Sequence, residues 1–101
     1  MANFQLSIVT PAGKAFEGSA QSVIVPGAEG FFEVLANHAP MVVILKKGIV
    51  TLTQDAQKKY FAIGPGVLEV CARHETLLLS DFVVSAANLS EAQEKLVNAH
   101  A

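Results

Sequence analysis

A chain of 101 residues has room for one domain around one core, and its formal net charge of −2, with no basic stripe, excludes an electrostatic nucleic-acid binder. No run of about 18 apolar residues is present, so no membrane-spanning helix is expected. One cysteine excludes an internal disulfide, and a hydrophobic share of 51% leaves apolar side chains over for a surface that meets a partner.

In chain order, the predicted elements are short and strand-like. Met1 runs directly into FQLSIV (Phe4 to Val9), which alternates apolar and polar as a half-buried strand does. Nothing before it resembles a signal peptide. Pro11 and Gly13 break the pattern. AQSVIVPG follows, then GFFEVL, PMVVILKKG, IVTLTQ, KKYFAIGPG, VLEVCARH, ETLLLS and FVVSAA. Each is closed by Gly, Pro, Asp, Asn or a charged pair. Strand-like runs recurring about every 8–10 residues predict an all-β sandwich or barrel as far as Ala87.

The punctuation is specific. Gly27 and Gly30 bracket Ala28-Glu29, a sharp turn that glycine permits. Pro40 pushes Ala39 to extended backbone, so His38-Ala39-Pro40 should lead into a strand edge. From Asn88 the pattern changes. Ser90 is read as an N-cap, Glu91 and Glu94 sit near the positive end of a helix, and Leu89, Ala92, Leu96 and Ala99 recur at helical spacing. One short helix from about Ser90 to Asn98 is expected, marginal unless it packs on the rest.

Little of the sequence points to catalysis or metal binding. Cys71 and His74 form a C-x-x-H pair without the second pair that a structural zinc site wants, so a strand cysteine beside a turn histidine is the plainer account. Cys71 has only Arg73 as a nearby cation, and a core thiol is expected rather than a nucleophile. Ser80-Asp81 lacks a nucleophile elbow, GAEGFF is no dinucleotide fingerprint, and Glu29, Glu33 and Glu69 form no readable acid pair. No catalytic residue, cofactor or metal is assigned. Phe31 and Phe32 follow the glycine turn directly. Neighbours on a strand point to opposite faces, so one of them should be exposed beside Val34 and Leu35, as an interface anchor would be.

VPGAEGFFEVLANHAPMVVILKKG, YFAIGPGVLEV and LLLSDFVVSA, in that order, resemble the epsilon subunit of F-type ATP synthase from Phe4 to about Leu96. The shared pattern is a glycine-bracketed acidic turn, a short apolar strand, His-Ala-Pro, a hydrophobic strand ending in Lys-x-Gly, a turn before a Leu-Glu-Val strand, and a Leu-x-Asp strand.

The resemblance implies an antiparallel β-sandwich of about ten strands over residues 1–87, followed by a helical tail, 88–101, that is a remnant of the family's two-helix hairpin. It implies a non-catalytic rotor subunit of the central stalk, gripping gamma on one face and the membrane c-ring at one end, and coupling proton translocation to ATP synthesis. The ring contact would fall on Glu29, Gly30, Phe31 and Phe32. The gamma contact would fall on Thr10, His38 and Val43. Phe31 and Val43 stand where the family is often more polar, and Pro65 should stiffen its turn. The implied location is peripheral, on the cytoplasmic face of a bacterial inner membrane or an equivalent organellar membrane. The isolated chain is expected to be monomeric. The hairpin would need roughly 45 further residues at 1.5 Å per helical position plus a loop, so inhibition of hydrolysis by an extended hairpin is not expected of this polypeptide.

Two other classes stand against that reading. A free-standing ligand-binding or adaptor sandwich would want convergent Asn, Asp, Trp or Tyr, and the chain has no Trp and one Tyr. A hydrolase or metal enzyme would want ligand and catalytic sets that the motifs do not supply. Binding to gamma separates the first reading from both.

Overall fold

The computed structural model describes residues 2–71 and 75–98. Arg73, His74 and Ala99, considered above, lie outside the described residues. The strands are β1 (Phe4–Thr10), β2 (Gly13–Ala20), β3 (Ser22–Gly27), β4 (Gly30–Leu35), β5 (Met41–Leu45), β6 (Gly48–Gln54), β7 (Gln57–Ile63), β8 (Gly66–Cys71), β9 (Glu75–Ser80) and β10 (Val83–Ala86), followed by helix α1 (Leu89–Asn98).

Hydrogen bonding runs β10-β7-β6-β3-β5-β8-β9-β1-β2, with β4 paired to the other edge of β3. The hinge of this sheet is β3. Its first half, Ser22 to Ile24, pairs with β6, and its end meets β5 at Gly27 and Leu45. One strand thus passes from layer to layer, and the sheet folds over into a sandwich. Strand alternation sends one side of each layer inward. Leu6, Ile8, Val23, Val25, Val34, Val50, Leu52, Ile63, Leu68 and Leu78 are fully buried there. Phe16 meets Phe61 edge-on, with ring centroids 6.1 Å apart.

The all-β sandwich with one terminal helix agrees with the sequence reading. Its strand pairs are antiparallel except one: β1 and β9 run parallel, with Ile8 beside Leu78. Two strands so far apart in sequence need no tight turn between them, which is what parallel pairing requires.

The helix begins at Leu89, and its N-cap lies two residues before the predicted one. Asn88, not Ser90, is the N-cap: its Oδ1 accepts from the Glu91 N–H at 2.8 Å and its carbonyl from the Ala92 N–H at 3.0 Å. α1 then lies across the outer side of β7 and β10. Ala62 faces outward in the row Ile49, Ala62, Val84, yet it is fully buried, as is Ala92. Two small residues let the helix come close. Lys95 fastens it by donating to the Ser85 carbonyl at 2.8 Å and bridging Glu91 at 2.9 Å. The bond from Lys95 holds the Glu91 carboxyl below its usual range.

Candidate partner-binding face

The hairpin of β3 and β4 turns through Ala28-Glu29, between the paired Gly27 and Gly30. Both glycines are required. A Cβ on Gly27 would stand 2.6 Å from the Gly30 carbonyl oxygen, and Gly30 has φ +131°. The hairpin tip leans on β5, where the Ala28 N–H donates to Ile44 O at 2.8 Å and the Lys46 N–H to Pro26 O at 2.9 Å.

The two phenylalanines separate as alternation requires. Phe31 is 79% exposed. Phe32 is half-buried against the core, edge-on to the His38 ring at 5.3 Å. That ring is anchored in turn, its Nδ1 2.8 Å from the Ala39 carbonyl oxygen. A groove of about 470 Å³ runs between tip and strand, lined by Gly27, Phe31, Phe32, Met41, Val42 and Ile44 among others.

From β5 the outer side of the sheet continues as an apolar surface. Cross-strand register places Ile44, Val67, Leu79 and Val9 in one row. The next row holds Val42, Glu69, Leu77, Ser7 and Glu17. Val42 and Ile44 are 61% and 62% exposed. At one end, a second groove of about 430 Å³ runs past Val9, Thr10, Pro65 and Leu79.

The residues singled out in the sequence are therefore divided. Glu29, Gly30 and Phe31 are exposed together at the tip. Phe32 and His38 support it from behind. Thr10 lies at the far end of the apolar rows, its hydroxyl engaged in its own turn, donating to Gly13 O at 3.2 Å and accepting from the Ala12 N–H at 3.1 Å. Val43 packs against the core, and its neighbours Val42 and Ile44 face outward in its place. Sequence reasoning missed Val9, Val42, Ile44, Val67, Leu77 and Leu79. The signal was there: VVIL and LLL are unbroken apolar runs, which mark strands that are apolar on both faces.

Cys71 points to the same outer side, half-buried, at the end of β8. Among the described residues no three His, Cys, Asp or Glu side chains gather as a metal site would need. No helix among them is long and apolar enough to cross a membrane.

The family described as ATP synthase, Delta/Epsilon chain, beta-sandwich domain matches residues 3–85. The chain belongs to this family. Among its curated relatives is the ATP synthase epsilon chain of Rhodopseudomonas palustris (strain BisB18), 39% identical over 93 residues, covering 92% of this chain and 68% of that one. The ATP synthase epsilon chain of Helicobacter acinonychis (strain Sheeba) is 37% identical over 78 residues, covering 77% and 63%. The chain thus spans about two thirds of the length of these relatives.

Two solved structures share the fold. One is a chain of the Euglena gracilis mitochondrial ATP synthase, from a cryo-EM structure of OSCP, F1 and the c-ring, with a TM-score of 0.82 at 21% identity over 98% of this chain and 62% of that one. The other comes from the central stalk and c-ring of the Tetrahymena thermophila mitochondrial ATP synthase, with a TM-score of 0.68 at 9% identity over 95% and 89%. At these identities they speak for the fold alone.

Proposed function

We propose that this member of the delta/epsilon family is a non-catalytic central-stalk subunit of an F-type ATP synthase, joining gamma to the c-ring and passing rotation between proton translocation and ATP synthesis. The observation that carries the reading is the bare apolar outer face of β5, β8, β9 and β1 on a family sandwich. Exposed Val42, Ile44 and Leu79, in register with half-buried Val67 and Val9, form a surface that gains from being covered.

On this reading gamma lies over Ile44, Val42, Val67 and Leu79, with Thr10 and His38 towards its margins and Val43 backing the strand from beneath. The ring meets the adjoining tip through Glu29, Gly30 and Phe31, with Phe32 holding the tip in place. Contact with the membrane is made through the complex. A sandwich suits torque transfer because its ladders and core move as one body. The described helix is clamped to the sheet through Lys95 and Ser85. It is read as part of that body rather than as an arm that extends along gamma to block hydrolysis.

Mixing the chain with its cognate gamma subunit, followed by size-exclusion chromatography with mass detection, tests the reading. A one-to-one complex is expected. A monomer with intact β structure and no complex at concentrations of tens of micromolar overturns it.

A further inference from the structure

On the outer face, Glu69 lies where the aliphatic rows give way to a polar row of Cys71, Glu75 and Gln5, in which Glu75 is also exposed. Glu69 stands in register between Val42 of β5 and Leu77 of β9. Val67 precedes it on the same side of β8, and the Ile44–Val67–Leu79–Val9 row runs alongside. The carboxylate is exposed and pairs with no cation among the described residues, where the ion pairs are Lys14–Glu17 and Lys95–Glu91. Glu17, at the far end of the same row, is thus already matched by Lys14 at 3.0 Å, and Glu69 is not.

A partner that covers this face takes Glu69 out of water together with its aliphatic neighbours. A carboxylate covered without a partner beside aliphatic contacts loses its hydration and is costly to bury. The cost is offset when the partner brings a cation with it. We infer that the polypeptide docking on this face presents an arginine or lysine to Glu69, beside aliphatic contacts to Val42, Val67, Leu77 and Ile44. Both carboxylate oxygens are free to accept, so an arginine can bind them as a fork. The pair has a role that the aliphatic rows do not supply. Apolar contact is non-directional, and one ion pair at its margin fixes the register in which the two surfaces meet. A face that transmits torque needs that register.

This inference rests on the reading of the face as the gamma-docking surface, and the test separates the two. The affinity of the full chain for its cognate gamma subunit is measured at low and high salt for the wild type, Glu69→Gln, Glu69→Lys and Ile44→Asp. Glu69→Gln keeps size and hydrogen-bonding capacity on an exposed site and is expected to fold normally. It should weaken binding by at least about tenfold and reduce the salt dependence. Glu69→Lys should weaken it further, with recovery when the facing cation of gamma is changed to glutamate. If Ile44→Asp abolishes the complex while Glu69→Gln binds like the wild type, the face docks with Glu69 left in water and the inference is overturned. If Ile44→Asp also binds like the wild type, the reading of the face fails and the inference with it.

Discussion

The two outer faces of the sandwich start from the same difficulty and end differently. Both carry apolar side chains on the side of the sheet away from the core. Over β7 and β10 the chain provides its own cover, with α1 laid across Ala62 and Val84 and fastened by Lys95. Over β5, β8, β9 and β1 it provides none, and Val42, Ile44 and Leu79 stay in water. On the covered face two small residues at the contact, Ala62 and Ala92, let the helix approach closely between Ile49 and Val84. On the other face no alanine stands in the row Ile44, Val67, Leu79 and Val9, and Ile44 and Leu79 remain exposed.

The comparison can be broken in several ways. The largest expected effect is at the hairpin tip. Phe32→Glu places an unpaired charge against the core and should cost about 3 kcal/mol of stability or more, whereas Phe31→Glu should melt like the wild type and weaken attachment to the ring. Thermal melts of both, beside assembly onto a purified c-ring, check this. Ala92→Leu pushes the helix off its close seat and should cost about 1–3 kcal/mol, read by chemical denaturation, with no change in affinity for gamma. Equal losses of stability and affinity would show that the two faces are not independent.

Smaller effects sharpen the picture of the body between the faces. Asp55 and Ala56 join β6 to β7 with φ of 52° and 64°, a two-residue turn in which both positions are left-handed. Alanine is strained there, although its N–H is held by Gln21 Oε1 at 2.8 Å. Ala56→Gly should stabilise the sandwich by about 1 kcal/mol, seen as a raised denaturation midpoint. The smallest effect is at Glu91. Its lowered native carboxyl value means that its contribution to holding α1 is complete above the ordinary value of 4.5 and is lost as pH falls through the native value. Glu91→Gln should flatten the acid limb of the melting profile slightly and leave neutral pH almost unchanged.

Much of this was legible in the sequence. Alternation in FQLSIV and the glycine, proline and charged breaks mark nine of the ten strands, whereas β2, GKAFEGSA, is mostly exposed and carries no apolar alternation that would single it out. The opposition of Phe31 and Phe32 followed from the two-residue period of a strand. The rest failed for physical reasons. The pairing of β1 with β9 is a long-range choice, and alternation looks the same in parallel and antiparallel partners. Asn88 and Ser90 are both good caps by residue type, and only the spacing of Glu91, three residues after Asn88 as in a reciprocal cap, favours the first. VVIL, apolar on both faces, does not say which side is inward, and burial places Val43 against the core with Val42 and Ile44 outward.

If the bare face docks gamma, as proposed, its exposed side chains serve binding and not folding. Ile44→Asp tests it most directly, with the melting temperature and the affinity for gamma measured on the same preparation. The account predicts a melt shifted by no more than about 0.5 kcal/mol equivalent and an affinity reduced by at least about a hundredfold. An unchanged affinity, or a melt that collapses along with it, would contradict the account.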